Sequence, residues 1–205
     1  MPATPDSKVY RPRNPEATKE LLLASAGEEF AEHGYAGARI DRIADGAHTN
    51  KRMIYAYFGD KDGLFSAVLE RQIGSLVQAV PLIDGDLVGF AAARFDYMLA
   101  NPKARRLAAW RTFERAEPTA AERESYRARV DSVAAAQRAG KLTSDIPAVD
   151  LFALVLRMTE SWLSAPPGMR SAADGDPQSK ERLEEHRAAL VLAVRRLVEP
   201  TPQNP

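Results

Sequence analysis

The chain contains no cysteine, which excludes disulfides, thiolate metal sites and cysteine nucleophiles. That absence fits a reducing compartment. No apolar run approaches the roughly 18 residues needed to span a bilayer, and the leading stretch MPATPDSKVYRPRNP lacks the apolar core of a secretory signal. A soluble cytoplasmic protein with no membrane partner is therefore expected. Histidines are scarce: His48 has His33 and His186 far away in sequence and no carboxylate at zinc-like spacing, so no metal site is expected. A glycine-rich phosphate loop and a coherent Ser/His/Asp arrangement are also missing, which argues against an enzyme and against a bound cofactor. Net charge is absent too, with 28 basic against 28 acidic residues. A zero sum argues mildly against a nucleic-acid partner, but the distribution of charge matters more than its total.

What is present is helical periodicity. Apolar residues recur at three and four positions, with no strand-like alternation of any length and no internal repeat. The spacing predicts an all-α chain. Its first helix opens at Asn14, a good N-cap, followed by Pro15 and Glu16, which suit the first turn. Leu22, Leu23, Ala26 and Phe30 make its inner stripe, and His33-Gly34 ends it. Two short helices follow, over 38–46 and 50–57, and a longer one starts near Lys61 with Asp60 as its cap. Further helices are predicted over 87–100, 102–115, 119–139, 148–164 and 178–198, with a mobile loop over 165–177. The expected organisation is a basic tail (1–13), a three-helix unit (14–60), a larger helical unit (61–200) and a short tail (201–205).

The informative stretch is ARIDRIADGAHTNKRMIYAYFGDKDGLF. Two short helices joined by a tight turn each bury only a narrow stripe, but they can hold one helix proud of the surface, ready for a major groove. Ile40, Ile43, Ala44 and Ala47 are expected to face inward from the first, and Ile54 and Phe58 from the second. That leaves Lys51, Arg52, Met53, Tyr55 and Tyr57 outward, a short face that is both basic and aromatic. Arg52 suits a bidentate contact to guanine. Lys51 suits a base edge or a phosphate, and the tyrosines suit phosphate oxygens, sugar or a thymine methyl. Arg39 and Lys61, each at a helix start, suit phosphate. The bland alternative is a solvated basic face with tyrosines capping a core. Lys8, Arg11 and Arg13 could enter an adjacent minor groove or simply form a loose tail.

The segment resembles the DNA-binding domain of TetR/AcrR-type regulators. Ile43-Ala44, Ala47, Ile54-Tyr55, Tyr57-Phe58, Lys61 and Leu64 fit that family's pattern, as do Ala26, Phe30 and Gly34-Tyr35 upstream. The match covers about Asn14 to Glu70. His48 stands where the family usually has a turn glycine, and histidine tolerates a left-handed backbone better than most residues. Thr49 replaces a small apolar residue, Asn50 replaces a Ser or Thr cap, and Arg52-Met53 replace a frequent Gly-Thr. The reading face therefore carries longer side chains, and no relative's operator sequence can be carried over.

The resemblance implies a homodimer that binds a double-stranded DNA operator and holds a small-molecule effector in its larger unit, most simply as a ligand-released repressor. For the dimer face it implies the last two long helices, with Leu151, Leu154, Val155, Leu183, Leu190, Val191, Val194 and Leu197 as candidates; a fully buried helix is the alternative. For the effector site, Tyr97, Met98, Trp110, Phe113, Met158 and Trp162 could line an aromatic cavity, with Arg94 and Arg106 available to an anionic ligand. Ordinary core packing is the competing reading of each aromatic. The rival for the whole chain is a ligand-binding helical bundle or small enzyme without DNA function.

Overall fold

A computed structural model of the protein describes residues 14–114 and 117–200, with the side chains of residues 113 and 114 excepted. The described residues are helical without strands. The elements are α1 (Pro15–Gly37), α2 (Ile40–Gly46), α3 (Lys51–Phe58), α4 (Lys61–Ala79), α5 (Leu87–Ala100), α6 (Pro102–Glu114), α7 (Ala120–Arg138), α8 (Ala148–Met158), α9 (Pro167–Arg170) and α10 (Lys180–Val198). The expected tails, with Lys8, Arg11 and Arg13, lie outside the described residues.

The chain divides into two compact units, and the boundary falls inside α4, between Leu69 and Glu70, rather than before that helix. The reason is packing. Leu64, Phe65, Val68 and Leu69 are buried, and Phe65 meets Phe30 of α1 edge-on at 4.8 Å between ring centroids. The first turns of α4 thus complete the core of the first unit.

In that unit Asn14 caps α1 by accepting the Glu16 N–H at 3.1 Å, and Leu22, Ala26 and Phe30 are fully buried. Gly34, with φ 68°, breaks the regular helix where sequence placed its end, although the chain coils on to Gly37. Each large apolar side chain so buried contributes roughly 1.5–3 kcal/mol against exposure.

The second unit has one core. Val80, Leu87, Ala91, Phe95, Val133, Leu151, Val155 and Val194 are its most deeply buried members. α5 packs on α10 and α8, and α7 packs on α8. A capping box between Thr119 and Glu122 opens α7.

Two expectations change in this unit. α8 ends at Met158 instead of continuing to residue 164. The Thr159 hydroxyl donates back to the Leu156 carbonyl at 2.7 Å, and Arg94 of α5 binds Thr159 and Glu160, so the chain proceeds in turns. The segment expected as a plain loop contains α9, with Pro167 at its first turn. It is also tied down, because Trp162 Nε1 donates to the Pro177 carbonyl at 3.1 Å.

Candidate nucleic-acid interface and cavity

α1 holds α2 through polar contacts at both ends of the short helix. Ser25 Oγ donates to the Ile43 carbonyl at 2.8 Å. Glu29, a carboxylate nine-tenths buried, accepts the Arg39 backbone N–H and Arg42 Nε–H, each at 2.8 Å. Burial pushes the Glu29 carboxyl up, but these hydrogen bonds and the charges of Arg42 and His33 outweigh it and hold it below the usual carboxylate range. Arg42 also donates to the Gly37 carbonyl at 3.1 Å, so it is occupied within the protein.

The turn between α2 and α3 is closed by backbone bonds from His48 N to Asp45 O and from Thr49 N to Ala44 O, both 3.0 Å. His48 sits at φ 52°, the left-handed conformation that its place in the turn demands. Asn50 then caps α3, its Oδ1 accepting the Arg52 N–H at 2.9 Å. Gly59, at φ 81°, ends α3, and Asp60 caps α4 through the Gly63 N–H at 2.8 Å.

Ile43, Ala44, Ala47 and Ile54 are buried, which fixes the inner faces of both short helices. Ile40 and Phe58, expected inside, are half-buried. On the outer face Arg39, Asn50, Lys51 and Arg52 are exposed, and Tyr55 is 51% exposed. Thr49, Met53 and Tyr57 are half-buried along its border. Lys61 is half-buried, its ammonium 3.5 Å from the Ala36 carbonyl and 4.8 Å above the Tyr35 ring. Lys51 pairs with Asp41 at 3.1 Å, a relationship that sequence reasoning missed. Among the described residues Arg52 engages in no ion pair. A helix with a locked inner face, a free guanidinium near its positive end and a phenol beside it can contact both base edges and phosphates.

The second unit contains a narrow slot, partly open to solvent. Ile73, Leu76 and Val77 of α4 and Leu156 of α8 form its aliphatic side. Phe90 of α5, Phe152 of α8 and Tyr126 of α7 form its aromatic side. Its polar groups are Arg94, Glu122, Ser125 and Arg129. Of the sequence candidates, Arg94 lines the slot. Met98 is buried in the core, while Tyr97 and Met158 are packed half-buried against it. Trp162 is buried too, its ring 5.4 Å from His186 and 4.9 Å from the Arg182 guanidinium. Trp110 is half-buried away from the slot, Arg106 is exposed, and the Phe113 side chain lies outside the described residues. Of the aromatics singled out by sequence, Trp162 is buried and Tyr97 packs against the core, and neither lines the slot. The slot's own aromatics come from positions that sequence did not distinguish.

Two family profiles cover most of the chain. Residues 22–68 match the profile of bacterial regulatory proteins of the tetR family, and residues 86–196 match a tetracyclin repressor-like C-terminal domain. The HTH-type transcriptional repressor SCO4008 of Streptomyces coelicolor is 40% identical over 191 residues, 91% of this chain and 98% of that protein. The crystal structure of SCO4942 from Streptomyces coelicolor superposes with a TM-score of 0.76 at 38% identity, covering 88% of this chain and 98% of that one. The HTH-type transcriptional repressor NicS of Pseudomonas putida is 34% identical over 100 residues, 45% of this chain and 47% of its own length. This chain belongs to the TetR family.

As a TetR-family member it is a DNA-binding transcriptional regulator, and α3 lies within the matched DNA-binding region. The family's C-terminal domain is the second unit, and here the candidate dimer residues need correction. Leu151, Val155, Leu190 and Val194 are buried in the chain's own core and offer nothing to a partner. Leu183, Val191 and Leu197 are half-buried. Leu154 of α8 is 47% exposed, and Leu192 of α10, which sequence did not single out, is 50% exposed. An apolar count on a helix does not say which side turns inward; burial does. Among the described residues no helix is long and apolar enough to cross a membrane, and no cluster of histidine and carboxylate side chains could hold a metal ion.

Proposed function

We propose that the protein is a sequence-specific transcriptional repressor that binds its operator as a homodimer and is released by a small molecule held in the slot of the second unit. The observation that carries this reading is α3 itself: Ile54 is fully buried while Lys51, Arg52 and Tyr55 on the same eight-residue helix face solvent. Arg52 and Lys51 contact base edges, Asn50 and Thr49 position the start of the helix, and Met53 supplies apolar contact. Arg39, Tyr55, Tyr57 and Lys61 bind the backbone. The repressor named among its relatives over nearly the whole chain supports the sign of the regulation. Exposed Leu154 and Leu192 support α8 and α10 as the dimer face. Ligand in the slot would favour a dimer whose two recognition helices no longer match half-sites one helical turn apart.

The test is a mobility-shift and footprinting experiment with the region upstream of its own gene, alongside selection from fragmented genomic DNA. Protection of a palindromic site with half-sites about 34–36 Å apart is expected. Failure to retain any DNA in both experiments overturns the reading. Sedimentation of the free protein should give a dimer, and Leu154→Glu with Leu192→Glu should shift it to monomer.

A further inference from the structure

The charges lining the slot do not balance, and the excess is positive. Glu122 gives its carboxylate to Arg111 at 3.0 Å and to the Thr119 cap. Glu160, just behind the slot, is shared by Arg94 at 2.7 Å and Arg157 at 2.8 Å. Both acids are thus neutralised by cations of their own. Arg129 is not matched in this way: its guanidinium donates to the Ser125 carbonyl and hydroxyl, two neutral groups on its own helix, and lies 5.9 Å from the Phe90 ring centroid. Burial pushes Arg129 below its ordinary proton affinity; Tyr126 opposes this and the charge of Arg94 adds to it. Arg94, only 4% exposed, is satisfied at both terminal nitrogens by Thr159 and Glu160, yet its Nε is buried with no hydrogen-bond partner. A half-buried cation whose protein partners are neutral can still gain charge-assisted bonds from an anion.

We propose that this slot takes an organic anion, a carboxylate on a flat apolar body, with its charge met by Arg129 and its body laid against Phe90, Tyr126 and Phe152. Phe152 stands between the other two rings, 5.5 Å from Phe90 and 6.3 Å from Tyr126 between centroids, tilted to the first and edge-on to the second. Arg129 stands over the Phe90 ring at one end of this row, and Ile73, Leu76 and Val77 of α4 line the same slot. Such a ligand satisfies the guanidinium with charge-assisted bonds and covers apolar surface at once. The proposal rests on the slot being the effector site and adds the chemical class of the effector.

The test is titration calorimetry on the whole chain with three probes of one shape: 2-naphthoate, 2-naphthamide and (2-naphthylmethyl)trimethylammonium. Saturable binding of the naphthoate is expected, with the amide and the cation weaker by about tenfold or more. Arg129→Gln should weaken naphthoate by a similar factor without changing its melting curve, whereas Arg129→Lys should retain most of the binding. Equal or tighter binding of the amide or the cation overturns the proposal. So does an absence of naphthoate binding, or undiminished binding in a folded Arg129→Gln protein. The wild-type comparison decides even if the glutamine variant fails to fold. The two readings fail separately. Operator binding without naphthoate recognition sinks the ligand class alone, and Arg129-dependent naphthoate binding without any DNA binding sinks the regulator reading alone.

Discussion

Lys51 Nζ, at the first position of α3, lies 3.1 Å from Asp41 Oδ1 in the first turn of α2. Both side chains are well exposed, at 60% and 75%. A pair this open contributes little to stability, about 0–1 kcal/mol, and is screened by salt. With α3 set against DNA as proposed, Asp41 would compete with phosphate for the same ammonium and repel the duplex. Asp41→Asn should therefore leave the melting temperature within about 2 °C of wild type. Affinity for unrelated DNA should rise by about threefold or more at low salt, and the gain should shrink as salt is added. Fluorescence anisotropy against a scrambled duplex over a salt series checks this. Unchanged or weaker binding would show that Lys51 does not reach the duplex.

Arg52 and Lys61 differ in their attachments, and that difference separates their roles. Arg52 is exposed and bound only through its backbone N–H to the Asn50 cap, so its guanidinium is free to read a base. Lys61 is steered by the Ala36 carbonyl and the Tyr35 ring, which suits a fixed charge beside the backbone. Arg52→Ala should cost about 1–3 kcal/mol at one base pair and relax preference there. Lys61→Ala should weaken all sequences alike and reduce the magnitude of the salt slope by about 1. Competition binding with single-base variants of the operator distinguishes them, and the reverse pattern would exchange the two assignments.

Glu29 links α1 to α2 and should make the DNA-binding unit sensitive to acid. Its folded-state carboxyl is held below its ordinary value, so the stability it contributes is present above the unfolded carboxylate range and is lost as pH falls through the folded value. Glu29→Gln keeps the shape but gives up the charge-assisted bonds to the Arg39 N–H and to Arg42. A fall in melting temperature of about 2–8 °C at neutral pH is expected, shrinking as the pH is lowered into the acidic range where the wild-type carboxyl is itself protonated. Melts followed by circular dichroism between neutral and acid pH check it; a deficit independent of pH would point to packing instead.

The helix-turn-helix was legible in sequence because its determinants are local. Asn14, Asn50 and Asp60 cap helices within a few residues of themselves, and His48 takes the left-handed turn position that its alignment implied. The faces of α8 and α10 were not legible, since each carries apolar residues on more than one side. Leu151 and Leu154 are one turn apart, yet one is in the core and the other faces out. The slot was hidden for a different reason. It is assembled from α4, α5, α7 and α8, and Arg129 is one of several arginines on α7, set apart only by what surrounds it. The one local hint was the close spacing of Ser125, Tyr126 and Arg129 on a single helix face. The large side chains of Trp162 and Met98 stand out in the sequence instead, and both are buried.

Gly85 tests the entry to the second unit's core, where two demands fall on one residue. Its φ is 72°, and a Cβ there would sit 2.3 Å from Ala136 Cβ on α7 and 3.5 Å from Leu142 Cδ1. Left-handed strain alone costs about 1–2 kcal/mol for a residue with a Cβ. The collision with a buried methyl group must then displace α7 or the turn, a further cost of about 1–3 kcal/mol. Gly175 separates the two effects, having φ 77° with nothing within 4 Å of its Cβ position. Gly175→Ala should lose only the strain component, while Gly85→Ala should lose about twice as much or more, measured by urea denaturation. Equal losses would mean that α7 yields freely at Ala136. In that case the slot, which takes Tyr126 and Arg129 from the same helix, would be softer than its packing indicates.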